Sequence, residues 1–125
     1  MAIRERPARV VVIDDSVDLR GLLSFALSRA GMNVVGEAGD GSAGIEVVRE
    51  ERPDLVLLDL SMPVMDGVEA LPLIRELVPD GQIIVFSGFD EALTQQVLDS
   101  GADGHVVKGL PLKDIVAYVE EKLGD

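Results

Sequence analysis

Five short apolar runs recur along the chain, each followed by a stretch with helical spacing. The runs cover Arg9–Ile13, Asn33–Glu37, Asp54–Leu58, Gln82–Ser87 and Gly104–Val107. Several are continuous and β-branched, as expected of strands whose two faces are both covered by helices. Between them, Leu19, Leu22, Leu23, Ala26 and Ala30 form one helical stripe, and Gly31 supplies its C-terminal stop. A second helix is expected over about residues 42–51, weakened by Gly44. A third should start at Asp66, with Glu69 three residues on as a capping-box partner. Pro72 predicts a kink or a late start in that helix. The fourth, about residues 91–100, has a thin stripe of Leu93 and Val97 and should be loosely held. The fifth follows Pro111 and aligns Leu112, Ile115, Val116, Val119 and Leu123.

Strict alternation of strands and helices predicts one α/β domain, a doubly wound parallel sheet with right-handed crossovers. Ligands in such sheets bind beyond the carboxyl ends of the strands. Asp14, Asp15, Asp59, Ser87 and Lys108 all fall at predicted strand ends. Two strands that each deliver carboxylates there point to one shared acidic pocket. Such a pocket suits a divalent cation, and one carboxylate in it could act as a nucleophile. Taken singly, each residue has a plainer use. Asp59 could cap a turn, Asp15 or Ser16 could cap the first helix, and Lys108 could reach solvent from its strand end.

Composition narrows the function classes. The chain has 125 residues, 47% of them apolar, which fits one domain with a real core. Aromatics are 3%, so that core is aliphatic. Eleven basic and 23 acidic residues give a net charge of −12, which disfavours direct nucleic-acid binding and an anionic membrane surface. The absence of cysteine removes thiol catalysis and cysteine metal sites. Residues 1–9 lack the apolar core of a signal peptide, and no run approaches the roughly 20 residues of a spanning helix. A cytoplasmic location is expected. Residues 1–8 are expected to be a disordered N-terminal segment.

Four motifs carry a resemblance: Ile13-Asp14-Asp15-Ser16, the run from Asp59 to Gly67, Val85-Phe86-Ser87-Gly88, and Gly101 to Lys108. Over roughly residues 9–123 the chain resembles the receiver domains of two-component response regulators. The resemblance implies a flavodoxin-like sheet of order 2-1-3-4-5 with five helices. It implies that Asp59 is a phosphoacceptor and that Lys108 and Ser87 contact the phosphoryl group. It also implies Mg²⁺ (or Mn²⁺) on Asp14, Asp15, Asp59 and the Ser61 carbonyl. Ser87 and His105 fall at switch positions. His105 stands where many receivers carry Tyr or Phe, and it could swing inward or face a partner. Ser61 and Phe89 fall where acyl-phosphate lifetime is tuned. Gly109 replaces the proline that often follows the lysine, which leaves the geometry of that loop open.

The implied donor is a histidine kinase or a histidine phosphotransfer protein. The implied output is a partner or effector domain met by the surface of the fourth helix, fifth strand and fifth helix, and a homodimer is compatible with it. The chain would catalyse its own phosphotransfer and dephosphorylation without being a turnover enzyme. Three other classes fit less well. A haloacid-dehalogenase-type aspartyl phosphatase would need an acid where Ser61 stands. An FMN binder would need a phosphate loop where Asp14 and Asp15 stand. A receiver that binds partners without phosphorylation would not need every one of these groups.

Overall fold

The computed structural model describes residues 6–62, 64–88 and 91–124. The elements alternate without exception: β1 (Arg9–Ile13), α1 (Val17–Arg29), β2 (Asn33–Ala38), α2 (Gly41–Glu51), β3 (Leu55–Asp59), α3 (Gly67–Leu77), β4 (Gln82–Ser87), α4 (Glu91–Asp99), β5 (Gly104–Val107) and α5 (Leu112–Lys122). The strands pair in parallel in the order β2-β1-β3-β4-β5, as expected from the sequence.

Period-two alternation splits the core into two layers. Val11, Ile13, Val56, Leu58, Ile83 and Val85 face α2, α3 and α4 on one side. Val10, Val12, Leu57, Ile84, Phe86 and Val106 face α1 and α5 on the other. The sheet is therefore covered on both faces; β3 is buried throughout, and β1 from Val10 onward.

Several local expectations are refined. β3 runs one residue later than expected, so Asp59 is its last residue. Asp54 precedes the strand, and its carboxylate accepts the Arg9 amide at 2.8 Å. α1 buries Leu23 and Leu27, whereas Leu22 and Ala30 are exposed: Leu22 lies off the stripe centred on Leu19, Leu23 and Leu27, and Ala30 is the C-cap, past the last turn. α3 runs through Pro72 from its cap at Asp66, so the late start does not occur; the ring removes one N–H, which would have met the Val68 carbonyl.

Gly44 has a packing reason. A Cβ there would sit 2.6 Å from Ile13 Cδ1, so glycine lets α2 settle on the end of β1. Asp40 caps α2 by accepting the Ala43 amide at 2.8 Å. In α4, Val97 is buried and Leu93 packs partly against the core, matching the expected thin stripe. Of the N-terminal segment expected to be disordered, residues 6–8 are described. Arg6 pairs with Asp54, Ala8 is buried, and the Ala8 carbonyl accepts the Asn33 amide.

Candidate functional site

The carboxyl ends of β1, β3, β4 and β5 converge on one acidic pocket. Residues with almost no exposure to solvent include two carboxylates, Asp14 and Asp59. Carboxylate oxygens of Asp14, exposed Asp15 and Asp59 all lie within 4.8 Å of one another. Like charges this close are unfavourable without a counter-ion.

Each buried carboxylate is anchored by one oxygen. Asp14 Oδ1 accepts the Ser16 amide at 2.8 Å. Asp59 Oδ1 accepts the Ser61 amide at 3.0 Å and pairs with Lys108 Nζ at 2.9 Å. The second oxygens, Asp14 Oδ2 and Asp59 Oδ2, are buried and have no hydrogen-bond partner. The Ser24 hydroxyl is the one other such atom among the described residues, and it is neutral. Buried polar atoms are usually satisfied, so two orphaned anionic oxygens beside a third carboxylate fit a hard cation. Burial pushes the Asp59 carboxyl above its ordinary range; the Ser61 amide and Lys108 oppose this, and Asp14 adds to it.

Local turns place these groups. Ser16 caps α1 by accepting the Leu19 amide at 3.2 Å, so one loop serves both the helix and Asp14. The Lys108 amide donates to the Ser87 carbonyl at 2.7 Å, which joins the ends of β4 and β5 beside the pocket. Lys108 Nζ also lies 5.9 Å from the centre of the Phe86 ring. Gly109 adopts φ 101°, a left-handed conformation that a proline could not take, so this loop departs from the lysine–proline pattern.

Asp14, Asp15, Asp59 and Lys108 are thus brought together, and Ser61 is held against Asp59 by its amide. Ser87 is buried, and its hydroxyl lies 3.0 Å from the Gly88 carbonyl and 2.9 Å from His105 Nε2. His105 is half-buried, and burial pushes its pKa down. A cleft of about 480 Å³ opens beside the pocket, lined by Ser61, Met62, Asp66, Ser87 and Leu93 among others. Phe89 lies outside the described residues.

Sequence reasoning missed two features. The Ser87–His105 contact depends on register, since Val85 pairs with His105 and Ser87 with Val107, and no sequence pattern fixes that offset. Gly67 packs against the backbone of Asp59 and Leu60, and its only signal was a glycine following the cap residue Asp66.

Residues 10–120 match the response regulator receiver domain family. The chain is 40% identical over 119 residues to the nitrate/nitrite response regulator protein NarL of Escherichia coli K12, covering 94% of this chain and 55% of that protein. It is 35% identical over 101 residues to the chemotaxis protein CheY of Thermotoga maritima, covering 80% and 84% respectively. Among solved structures, the response regulator domain of Thermotoga maritima CheB superimposes with a TM-score of 0.84 at 32% identity, covering 95% of each chain. A chain of the CheX–CheY–BeF₃–Mg complex from Borrelia burgdorferi gives 0.88 at 29% identity, covering 94% of this chain and 90% of that one. The chain belongs to the receiver domains of response regulators, which are signalling modules of two-component systems. It spans about half the length of NarL. Among the described residues no helix is long and apolar enough to cross a membrane.

Proposed function

We propose that this receiver is a phosphorylation switch whose acceptor is Asp59. The observation that carries the reading is the pair of orphaned oxygens on Asp14 and Asp59, set beside Asp15 and an ammonium 2.9 Å from Asp59. Asp14, Asp15, Asp59 and the Ser61 carbonyl would hold Mg²⁺ or Mn²⁺. The ion would offset the negative charge of the phosphodonor and polarise the phosphoryl oxygens.

An Asp59 carboxylate oxygen attacks phosphorus in line. The oxygen–phosphorus bond forms as the bond to the donor nitrogen breaks, and the bonding pair leaves with the donor imidazole. Lys108 stabilises charge on the transferred group, and Ser87 donates its hydroxyl proton to a phosphoryl oxygen. Burial keeps bulk water from the acyl phosphate, whose hydrolysis resets the switch. Ser61 and Phe89 are assigned to tuning that lifetime.

The donor is a histidine kinase or a histidine phosphotransfer protein. Phosphorylation adds negative charge and acceptor oxygens at one point. Ser87 and Lys108 move toward them and shift α4, β5 and α5, the surface offered to an output domain, a partner protein or a second copy. The thin packing of α4 makes it the element easiest to move.

Intact mass after incubation with acetyl phosphate tests this reading. One phosphoryl group is expected with Mg²⁺, with none after chelation and none in Asp59→Asn. No adduct in any condition would leave a receiver that binds partners unphosphorylated.

A further inference from the structure

This inference rests on the phosphoacceptor reading and concerns how His105 acts on it. Ser87 Oγ lies 2.9 Å from His105 Nε2 and 3.0 Å from the Gly88 carbonyl oxygen. A hydroxyl carries one proton, and a carbonyl can only accept. With neutral imidazole, Ser87 has two resting acceptors for that proton, the Gly88 carbonyl and the unprotonated Nε2 of one tautomer. An imidazolium can only donate. It removes the second acceptor and, by donating to Oγ, polarises the hydroxyl as a donor toward an anion.

We propose that His105 is a positioning residue that couples proton uptake to phosphoryl binding at Asp59, with Ser87 as the connection. Among the described residues no carboxylate acts on it, and burial alone shifts its imidazole. From β4 the partner is Ser87. From α5, the Tyr118 hydroxyl accepts the His105 amide at 3.3 Å, and Lys122 Nζ is held on the Asp103 carbonyl at 2.9 Å. Beside it along the chain, Asp103 pairs with Arg75 and Lys108 with Asp59. On α4, Asp99 accepts from Gln95. Burial therefore holds the resting imidazole neutral, with its pKa below the ordinary value. A bound phosphoryl group supplies the negative charge that is missing. Linkage is reciprocal, so acid strengthens phosphoryl binding by the factor by which phosphoryl binding strengthens proton uptake.

The chain has one histidine, so its imidazole titration is unambiguous by NMR. The titration is run on the full chain, with and without Mg²⁺ and trifluoroberyllate, which stands in for the phosphoryl group. Proton binding at His105 is expected to tighten about fivefold or more when trifluoroberyllate is bound. Ser87→Ala should remove most of that gain, and Ser87→Thr should restore it. Reciprocally, trifluoroberyllate affinity should rise with acid in the wild type more than in His105→Asn. Binding of trifluoroberyllate, seen at the amides around Asp59, with an unchanged His105 titration overturns the coupling and leaves the phosphoacceptor reading standing. A gain undiminished in Ser87→Ala shows through-space attraction and overturns the role of Ser87. If Ser87→Ala does not fold, the comparison of wild type with His105→Asn decides, and equal pH dependence in the two refutes the coupling. No binding of trifluoroberyllate overturns the phosphoacceptor reading itself, and the coupling with it.

Discussion

Gly67→Ala should damage both the fold and the site. Gly67 is buried at the first position of α3, and its amide donates to the Leu60 carbonyl at 3.1 Å. A Cβ there would lie 2.7 Å from Leu60 Cα and 3.0 Å from the Asp59 carbonyl carbon, with the Asp59 carbonyl oxygen nearer still. All three are backbone atoms. They cannot retreat, because Asp59 pairs with Phe86 and the Leu60 amide donates to the Phe86 carbonyl. Overpacking a rigid site costs about 1–3 kcal/mol, and the upper part of that range applies when the neighbours are backbone. Any relief must move the start of α3 or the end of β3, and the second displaces Asp59. A shift on the order of 1 Å is enough to slow phosphotransfer about 100-fold. Gly21→Ala is the control. Gly21 is exposed within α1, and a Cβ there meets nothing within 4 Å, so alanine should stabilise by about 1 kcal/mol. Urea unfolding gives both changes at constant m-value, and phosphorylation rates with a small phosphodonor give the second effect. A Gly67→Ala protein as stable as wild type, with an unchanged rate, would refute the reasoning.

Asp59→Asn should stabilise the metal-free protein by about 1–3 kcal/mol at neutral pH, since it removes a buried, partly unsatisfied charge. The sign follows from the raised Asp59 pKa. The folded state holds that proton more tightly than the unfolded chain, so stability from this group is full below its ordinary 3.8 and is lost as pH rises through the raised value. Denaturant midpoints measured across pH should be flatter in Asp59→Asn. Mg²⁺ should raise stability, by about 2.7 kcal/mol at a hundredfold excess over Kd. That gain should vanish in Asp14→Asn, as read by urea unfolding with and without the ion. Arg75→Met should cost about 3 kcal/mol, because Arg75 donates to the carbonyls of Val78, Pro79, Gly81 and Gly101 and to Asp103. Mg²⁺ affinity should survive in that variant, since none of those partners lies in the acidic pocket; a loss of Mg²⁺ binding would count against the separation.

The strands and the site were legible in the sequence for one reason. Parallel strands covered on both faces read as uninterrupted apolar runs, and each run ended on its polar group. Val10–Ile13 led to Asp14 and Leu55–Leu58 to Asp59, so the pocket could be assembled before any distance was known. The helices were less legible where tertiary contact outweighed propensity. Gly44 reads as a weakness in α2 until Ile13 is seen against it. Pro72 reads as a kink or a late start until α3 is seen running from Asp66 and packed through Ala70, Leu71 and Ile74. The resting partner of Ser87 was not legible, because it depends on the offset between β4 and β5.

The claim that Asp59 takes the phosphoryl group is tested most directly by trapping it. After incubation with acetyl phosphate and Mg²⁺, borohydride reduces an aspartyl phosphate to homoserine, and tandem mass spectrometry locates the changed residue. Homoserine at position 59, dependent on both phosphodonor and Mg²⁺, is the result expected. Homoserine at any other aspartate, or a phosphorylated protein with an unmodified Asp59, would contradict the account.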